Sequence, residues 1–498
     1  MRLHAPLLTL SICLIVGIAA SEWLDNWTTA LFALLPATLI TILLYRFPRI
    51  QTASIGICVI LLGATLGARQ YQQLNIEWPE KSMASEVIVI SEPVIKEKVV
   101  TADLLTSQGH YKIKGHFLKD SASQEIQLGE GICLYSNINK VHAWKSGHFD
   151  YQRHMKCHGY VGETVIGHGK WHRRQISLSG LSIIERSRLH FLLLRHKLLE
   201  HYRKWDTSEE TYGILAAMTL GEKSKLDTQL KETYSQVGAS HILALSGLHL
   251  MIIYTIVSLF MGWIRFRICS QVLITLSIWA FAFLTGLSPS VVRSASMITV
   301  YAILSRGYRN RMSVNTLAFV AIIMMVVNPY AIYDMGFQLS FLSVLAILLF
   351  TPLFNNFIPA HFLQRHRWLK ALWNLTNVSL AAQIGTAPLV TYYFGRFATW
   401  FLLSNYIVIP LATIILYLTL ASVILYWWTA AQTILVTILT TIVSTMNSLL
   451  SEIAKLPLAS LDGIQLSPFG LAMLYIIIVC FYIVLSVSRP RQYISKRS

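Results

Sequence analysis

Apolar runs long enough to cross a bilayer alternate with polar segments along this chain. Examples are Pro6–Ala20 with its flanks, Gln51–Ala68, Ala239–Ile264, Gln271–Val292, Leu402–Ile424 and Ile464–Ser488. A spanning helix needs roughly 17–25 such residues. The pattern therefore predicts a polytopic α-helical membrane protein of about 12 spans, three before one long polar stretch and about nine after it. The run Ala398–Leu450 shows no clear break. Arg2, the first apolar run and Ala19-Ala20-Ser21 also fit a cleaved signal peptide, but an uncleaved first span is the expectation in so polytopic a chain.

The polar stretch reads as β-structure. Short alternating or β-branched runs occupy Glu86–Ser91, Val99–Ser107, Tyr111–Leu118, Gly131–Ile138, Gly159–Gly167 and Trp171–Leu178, punctuated by Gly109, Gly129 and Gly131. They predict a small barrel or sandwich. From Leu181 to Lys204 the pattern turns helical, with Arg186, Arg188, Arg195, Lys197, Arg203 and Lys204 forming a basic face. Such a helix either lies on the membrane surface or packs, solvated, on the barrel. The expected layout is three spans in 1–70, a β domain in 71–180, amphipathic and linker helices in 181–235, a second membrane region in 236–488 and a basic tail in 489–498.

Composition agrees: 54% of the 498 residues are hydrophobic and 13% charged, against the ~25% charged of a soluble domain. The net charge of +17 matters mainly through its placement. One set of loops carries Arg46 and Arg49, Arg265 and Arg267, Arg306, Arg309 and Arg311, Arg365, Arg367 and Lys370, and then Arg489, Arg491, Lys496 and Arg497. The alternate short loops carry Glu22, Asp25, Asp334, Glu452 and Asp462 against Arg396 and Lys455. Positive short loops stay in the cytoplasm. Both termini are therefore expected inside the cytoplasmic (inner) membrane, with the β domain outside.

Cys13, Cys58, Cys269 and Cys480 fall in or beside spans and read as small hydrophobes. Cys133 and Cys157 lie in the exported region, where a disulfide persists; a bond between them is expected, with two buried thiols as the alternative. Eleven of the 16 histidines fall within His110–His201, and His154/His158 and His168/His172 are spaced by four. No HExxH motif accompanies them, so no metal and no cofactor is expected.

Candidate chemistry concentrates where the second membrane region begins, in AMTLGEKSKL (Ala217–Leu226) and VGASHILALSGLHLM (Val237–Met251). Polar groups inside a membrane are expensive and mark a bundle interior or a water-filled cavity. Ser246 and His249 share a helix face, and Gly247 permits either close helix approach or a break.

These strings closely resemble the competence domain of the ComEC family, the DNA internalisation proteins of natural transformation. The likeness continues in GHFDYQRHMKCHG (Gly147–Gly159), LSPSVVRSASM (Leu287–Met297), NPYAIYDMGFQLSFLSVL (Asn328–Leu345), SLAAQIGTAPLVTYYFGRF (Ser379–Phe397) and SNYIVIP (Ser404–Pro410), in the family's order. The resemblance implies an exported OB-like domain after the third span and a channel that passes single-stranded DNA into the cytoplasm. Many members carry a further metallo-β-lactamase-like region after the last spans. This chain ends at Ser498 and holds no HxHxDH string, so cutting is expected of a separate nuclease. Ser146 also stands where the family usually has Pro.

A single-strand binder combines basic charge with stacking aromatics. Residues 71–204 hold 19 Lys+Arg against 13 Asp+Glu, a net of +6. Trp144, Lys145, Tyr151, Arg153, Trp171 and Arg173 are the DNA-contact candidates there, with Phe149 and Tyr160 as further aromatics. In the membrane region Arg293 stands alone in an apolar stretch; it either binds phosphate or pairs with Asp334 or Gln338. His241, Ser246, Gly247, His249, Ser290, Gln338, Ser340 and Gln383 complete the candidate lining. No catalytic residue is expected. No GxxxxGK[ST] occurs, so a cytoplasmic motor or single-strand-binding protein and an outer DNA receptor are the expected partners beside DNA and lipid. A second copy of the chain is also admissible. The rival readings are an intramembrane hydrolase built on Ser246 and His249, and a small-molecule or lipid transporter with broken helices.

Overall fold

The computed structural model describes residues 5–487 apart from 25, 80, 108, 177–180, 206, 262–266 and 305–312. Asp25, Arg265, Arg306, Arg309, Arg311, the end of the expected sixth strand (Ile176 aside) and the basic tail 489–498 lie outside the described residues. The chain divides into two compact units, Met1–Lys225 with Leu245–Gln338, and Leu226–Ala244 with Leu339–Ser498.

The first unit opens with three apolar helices, α1 (Pro6–Ala20), α2 (Trp27–Leu43) and α3 (Pro48–Leu74). In lipid, helices associate through close packing at small residues rather than through apolar burial. Gly63 and Gly67 stand one turn apart on α3 and face α1. A Cβ on Gly17 would collide with the backbone carbonyl of Ile60, and one on Gly67 with Ser21 Oγ.

The polar stretch forms a mixed sheet. Its strands are β1 (Met83–Val89), β2 (Val94–Ile95), β3 (Val99–Thr106), β4 (Lys112–Leu118), β5 (Gly131–Ser136), β6 (Ile138–Asn139), β9 (Tyr160–Ile166) and β10 (Trp171–Arg173); β7 (Lys145–Ser146) and β8 (Phe149–Asp150) pair separately. The order is β10-β5-β1-β3-β4-β9-β6, with β4 and β9 parallel and the other pairs antiparallel. Alternation is clear in β4, where Ile113, Gly115 and Phe117 are buried and Lys112, Lys114 and His116 are not fully so. The expected barrel is not closed. β5 pairs with β1 and β6 with β9, so one stretch, Gly131–Asn139, borders both ends of the intervening strands. The closing rung is only Ile138↔Thr164 and Asn139↔Glu163.

The expected disulfide is absent, and both thiols are free. On β5, Ile132 and Leu134 enter the core, which puts Cys133 on the opposite face, in register with Glu86 and His172. Cys157 lies in the core cluster and its Sγ donates to the Tyr330 carbonyl at 3.2 Å.

Beyond the sheet, α4 is the single turn Ser121–Gln124, α5 spans Tyr151–Cys157 and α6 Ile183–Arg203. Ser182 caps α6 reciprocally with Glu185. The basic face of α6 is not wholly solvated: Arg195 is buried, and Arg188 donates to the Gly286 carbonyl at 3.2 Å. α7 (Glu209–Leu215) runs into a buried π-helical turn, Ala216–Leu220, which ends at Gly221 with φ +77°. The first unit then continues with α10 (Gly247–Met261), α11 (Arg267–Leu284), α12 (Pro289–Leu304) and α13 (Val314–Val327).

The second unit contains α8 (Thr228–Gln236), α9 (Ser240–Leu243), α15 (Ala360–Arg365), α16 (Arg367–Phe394), α17 (Phe401–Ile424), α18 (Thr429–Ala454) and α19 (Pro468–Val487), with β11 (Arg396–Ala398) paired to β12 (Ser460–Asp462). α14 (Met335–Phe354) begins in the first unit and continues in the second. The run Ala398–Leu450 resolves into α17 and α18. Seven helices among the described residues are long and apolar enough to cross a membrane: Pro6–Trp23, Trp27–Arg46, Pro48–Leu74, α14, α17, α18 and α19. Three apolar helices are shorter, Gly247–Phe260, Ile268–Leu284 and Val314–Val327. These three stop short of the ~20 residues that a bilayer core demands, and α16, though 28 residues long, is not among the seven. α12 also has only 16 residues and carries Arg293.

Replacing Gly17 tests the α1–α3 contact. Gly17→Leu is expected to cost about 3 kcal/mol through overpacking, read as a lower thermal midpoint in detergent. Leu39→Ala, on the exposed face of α2, should leave the midpoint unchanged.

Candidate functional site

Three segments far apart in sequence meet in the first unit. The chain is non-helical at Ala244–Ser246, between α9 and α10. Ser246 then starts α10. Its backbone N–H donates to His249 Nδ1 at 3.1 Å, and its Oγ lies 3.1 Å from the same nitrogen. This is capping-box logic with His in the third helical position. Ser290, in the first turn of α12, donates from Oγ to the Leu245 carbonyl at 2.7 Å. Gly247 faces Ser294, whose Oγ would lie 3.2 Å from a Cβ there. Gly247 thus begins α10 just after the break and packs beside the Ser294 side chain.

One turn along α12 from Ser290, Arg293 is 4% exposed. Its Nη1 lies 3.5 Å from Asp334 Oδ2, so of the two expected partners Asp334 pairs with it. Gln338 instead donates from Nε2 to the Ile332 carbonyl at 2.7 Å, bracing the Pro329–Tyr333 turn. Asp334 also caps α14, its Oδ2 accepting the Phe337 N–H at 2.8 Å. A Cβ on Gly336 would stand 3.2 Å from Arg293 Nη2, so glycine there leaves room for the guanidinium. Arg293 Nε is buried without a hydrogen-bond partner. A buried arginine with one long contact is unusual, because buried donors are normally satisfied.

The sheet domain joins this site through α5. Gly147 and His148 form the turn between β7 and β8, and Asp150 caps α5 by accepting the Arg153 N–H at 2.9 Å. That explains Gly-x-Phe-Asp-Tyr locally as turn, strand and cap. From α5, the Cys157 carbonyl accepts Asn328 Nδ2 at 3.0 Å, while Asn328 Oδ1 accepts Gln70 Nε2 at 2.9 Å. Tyr330 enters the sheet's core cluster. His158 Nε2 lies 3.9 Å from Asp334 Oδ1.

The six DNA-contact candidates expected in the sheet domain are mostly engaged within the protein. Arg153 pairs with Glu22 at 2.7 Å and lies over the Tyr333 ring. Arg173 pairs with Glu130 at 2.6 Å and Glu125 at 3.5 Å. Trp171 packs edge-on against Phe117 at the core. Lys145 is 3.6 Å from Asp150, and Tyr151 is half-buried beside Val141 and Met155. Trp144 is 51% exposed, with Phe149 and Tyr151 at its edges. A cleft of about 190 Å³ between the sheet and α6 is lined by His110, Tyr111, Lys112, Glu185 and Arg188. Burial pulls Lys112 down to about 8.

Three further candidates lie in the second unit. His241 sits on α9 with Nδ1 3.1 Å from the Gly238 carbonyl, Ser340 is on α14, and Gln383 is half-buried on α16. In the same unit Arg396 pairs with Asp462 and, at 2.7 Å, with Glu232.

Fold and site together define a polytopic helical membrane protein whose mixed-sheet domain docks on a buried arginine–carboxylate pair. The family model described as "Competence protein" matches residues 218–488. The chain belongs to the competence protein family. It is 28% identical over 275 residues to ComE operon protein 3 of Bacillus subtilis (strain 168), across 55% of this chain and 32% of that one. It is 29% identical over 202 residues to an uncharacterized protein of Aquifex aeolicus (strain VF5), across 40% of this chain and 45% of that one. The match thus spans less than half the length of either relative. No solved structure matches.

One polar cluster escaped the sequence reading. Arg195 on α6 lies 3.1 Å from Glu222 and 3.5 Å from Glu92. Glu222 was visible inside AMTLGEKSKL, but nothing local ties it to Glu92 and Arg195. Burial pushes Glu92 up to about 7, opposed by Arg195 and reinforced by its hydrogen bond to Glu222. A carboxyl raised on folding stabilises below its unfolded pKa of 4.5 and loses that contribution as pH rises through about 7. Glu92→Gln should therefore melt above wild type at pH 8, with the difference shrinking towards pH 5. A pH-independent difference in thermal midpoint would contradict the assignment.

Proposed function

We propose that this chain forms a path for single-stranded DNA across the cytoplasmic membrane during natural transformation. The observation that carries this reading is Arg293: buried in an apolar helix, held by one 3.5 Å contact, with Nε unpartnered. Such a group is suited to a phosphate, which accepts two parallel N–H donors from one guanidinium. Family membership supports the same reading. The sheet domain, taken as 71–180, would face the exterior as an OB-like module, since that fold is a partly open barrel and the sheet here nearly closes through Gly131–Asn139. Both termini would be cytoplasmic. An outer receptor, a cytoplasmic motor or single-strand-binding protein and a separate nuclease would act with it.

The 3.1 Å Ser246–His249 contact supports a second reading, an intramembrane hydrolase. Against it, the same Nδ1 accepts a backbone N–H, which makes the imidazole a helix cap. Labelling of Ser246 by a serine-directed phosphonate would favour the hydrolase.

A deletion strain complemented with Arg293→Gln should transform at least ~100-fold less well than with wild type, the effect of losing a charge-assisted contact of about 3 kcal/mol. Arg293→Lys, which keeps charge but not the planar fork, should recover only part. Protein level and thermal midpoint are measured alongside. Normal uptake of labelled DNA by a folded Arg293→Gln protein would sink the proposal.

A further inference from the structure

His154 and His158 stand one turn apart on α5, with ring centroids 4.4 Å apart. His158 Nδ1 is 2.8 Å from the His154 carbonyl oxygen. A carbonyl only accepts, so Nδ1 carries the proton and Nε2 of the neutral ring keeps its lone pair. That Nε2 points at Asp334 Oδ1, 3.9 Å away. One ligand atom from each of His154, His158 and Asp334 lies within 4.8 Å of the others.

We propose that His154, His158 and Asp334 bind one divalent transition-metal ion, with Zn²⁺ the best fit. Two imidazoles and a carboxylate are a donor set that zinc accepts. Tetrahedral zinc with ~2.0–2.1 Å bonds holds its ligand atoms roughly 3.3 Å apart, so the three groups need to close by up to about 1.5 Å. Metal-binding imidazoles donate their other N–H to a carbonyl or carboxylate, which fixes ring orientation; the His154 carbonyl does this for His158. Asp334 is oriented in the same way. Phe337 N–H and Arg293 occupy Oδ2, which leaves Oδ1 towards the histidines. Phe149 packs on the His154 ring at 5.4 Å and covers that side.

A plain His158–Asp334 ion pair would explain one histidine and not the placement of the other. It also predicts nothing at 3.9 Å that a surface pair would not give, whereas His154 completes a three-ligand set. Three protein ligands leave a fourth position open to water or an oxygen anion. The neighbouring Arg293 favours an anion there, because one carboxylate does not neutralise the ion and the guanidinium together. Metal binding does not rest on the DNA reading above and can fail or hold independently of it.

The test uses the full chain in detergent, stripped with EDTA and titrated with Zn²⁺ against a chromophoric indicator. One equivalent per chain is expected at micromolar affinity or tighter. His154→Ala and His158→Gln should each weaken it by at least ~100-fold, while His168→Ala and His172→Ala should bind as wild type. The stripped variants are matched to stripped wild type by thermal midpoint. A separate readout is the visible d–d absorption of the Co²⁺-loaded wild type, expected to be of four-coordinate intensity and to be displaced by Zn²⁺. No stoichiometric site in wild type, or equal affinity in His154→Ala, His158→Gln and wild type, would overturn the proposal.

Discussion

The buried carboxylate of Asp334 is the constraint on which the rest of the first unit depends. Removing a charge from water costs several kcal/mol unless partners replace the solvent. Asp334, 9% exposed, meets that demand with the α14 N-terminus and with Arg293. The two sides of the ion pair are unequally served. Oδ2 has a 2.8 Å backbone donor, whereas the arginine has one 3.5 Å contact and an idle Nε. The carboxylate is thus well served, whereas the arginine keeps one long contact and an unpartnered Nε.

The same accounting sorts the other polar residues. Irregular backbone at membrane depth is tolerated only where its freed groups are satisfied again. Two interruptions adjoin this site, Ala244–Ser246 and the Pro329–Tyr333 turn. Their groups find partners in motif residues: Leu245 O in Ser290, Ser246 N–H in His249, Ile332 O in Gln338 and Tyr330 O in Cys157. Those side chains are engaged in holding bent backbone. Much of what makes the strings distinctive therefore follows from satisfying bent backbone, and among the described residues the Arg293 side chain is not engaged in that way.

What the sequence made legible was local. Alternation placed the strands of the sheet within a few residues of where they fold; four of the six named apolar runs fall on single long apolar helices, while Ala239–Ile264 and Gln271–Val292 each cross a helix boundary. The spacing of Arg293 and Asp334 could not show that they pair, yet an intramembrane charge demands a partner, so the pair was inferable from cost alone. The Cys133–Cys157 bond failed because compartment and count say nothing about strand face, and one residue of register puts Cys133 on the wrong side. The barrel was overcalled because closure depends on the last two-residue rung at β6, which no pattern encodes. The Arg195–Glu222–Glu92 cluster draws on three elements whose meeting is purely tertiary.

Sharing one carboxylate between α5 and α12 has a consequence for how the sheet domain and Arg293 communicate. The two oxygens of Asp334 face different partners, Oδ1 towards His158 and Oδ2 towards Arg293. Whatever draws the carboxylate towards α5 weakens a contact that is already long. A group released in this way is free to form the shorter bonds, about 2.7–2.9 Å, that a phosphate offers to a guanidinium. The shift requires only that a ligand bind the arginine-released arrangement better than the paired one, since differential affinity is the whole source of such coupling. Gly336 keeps the space beside both groups clear: a Cβ there would stand 3.1 Å from Asp334 Oδ2 and 3.2 Å from Arg293 Nη2.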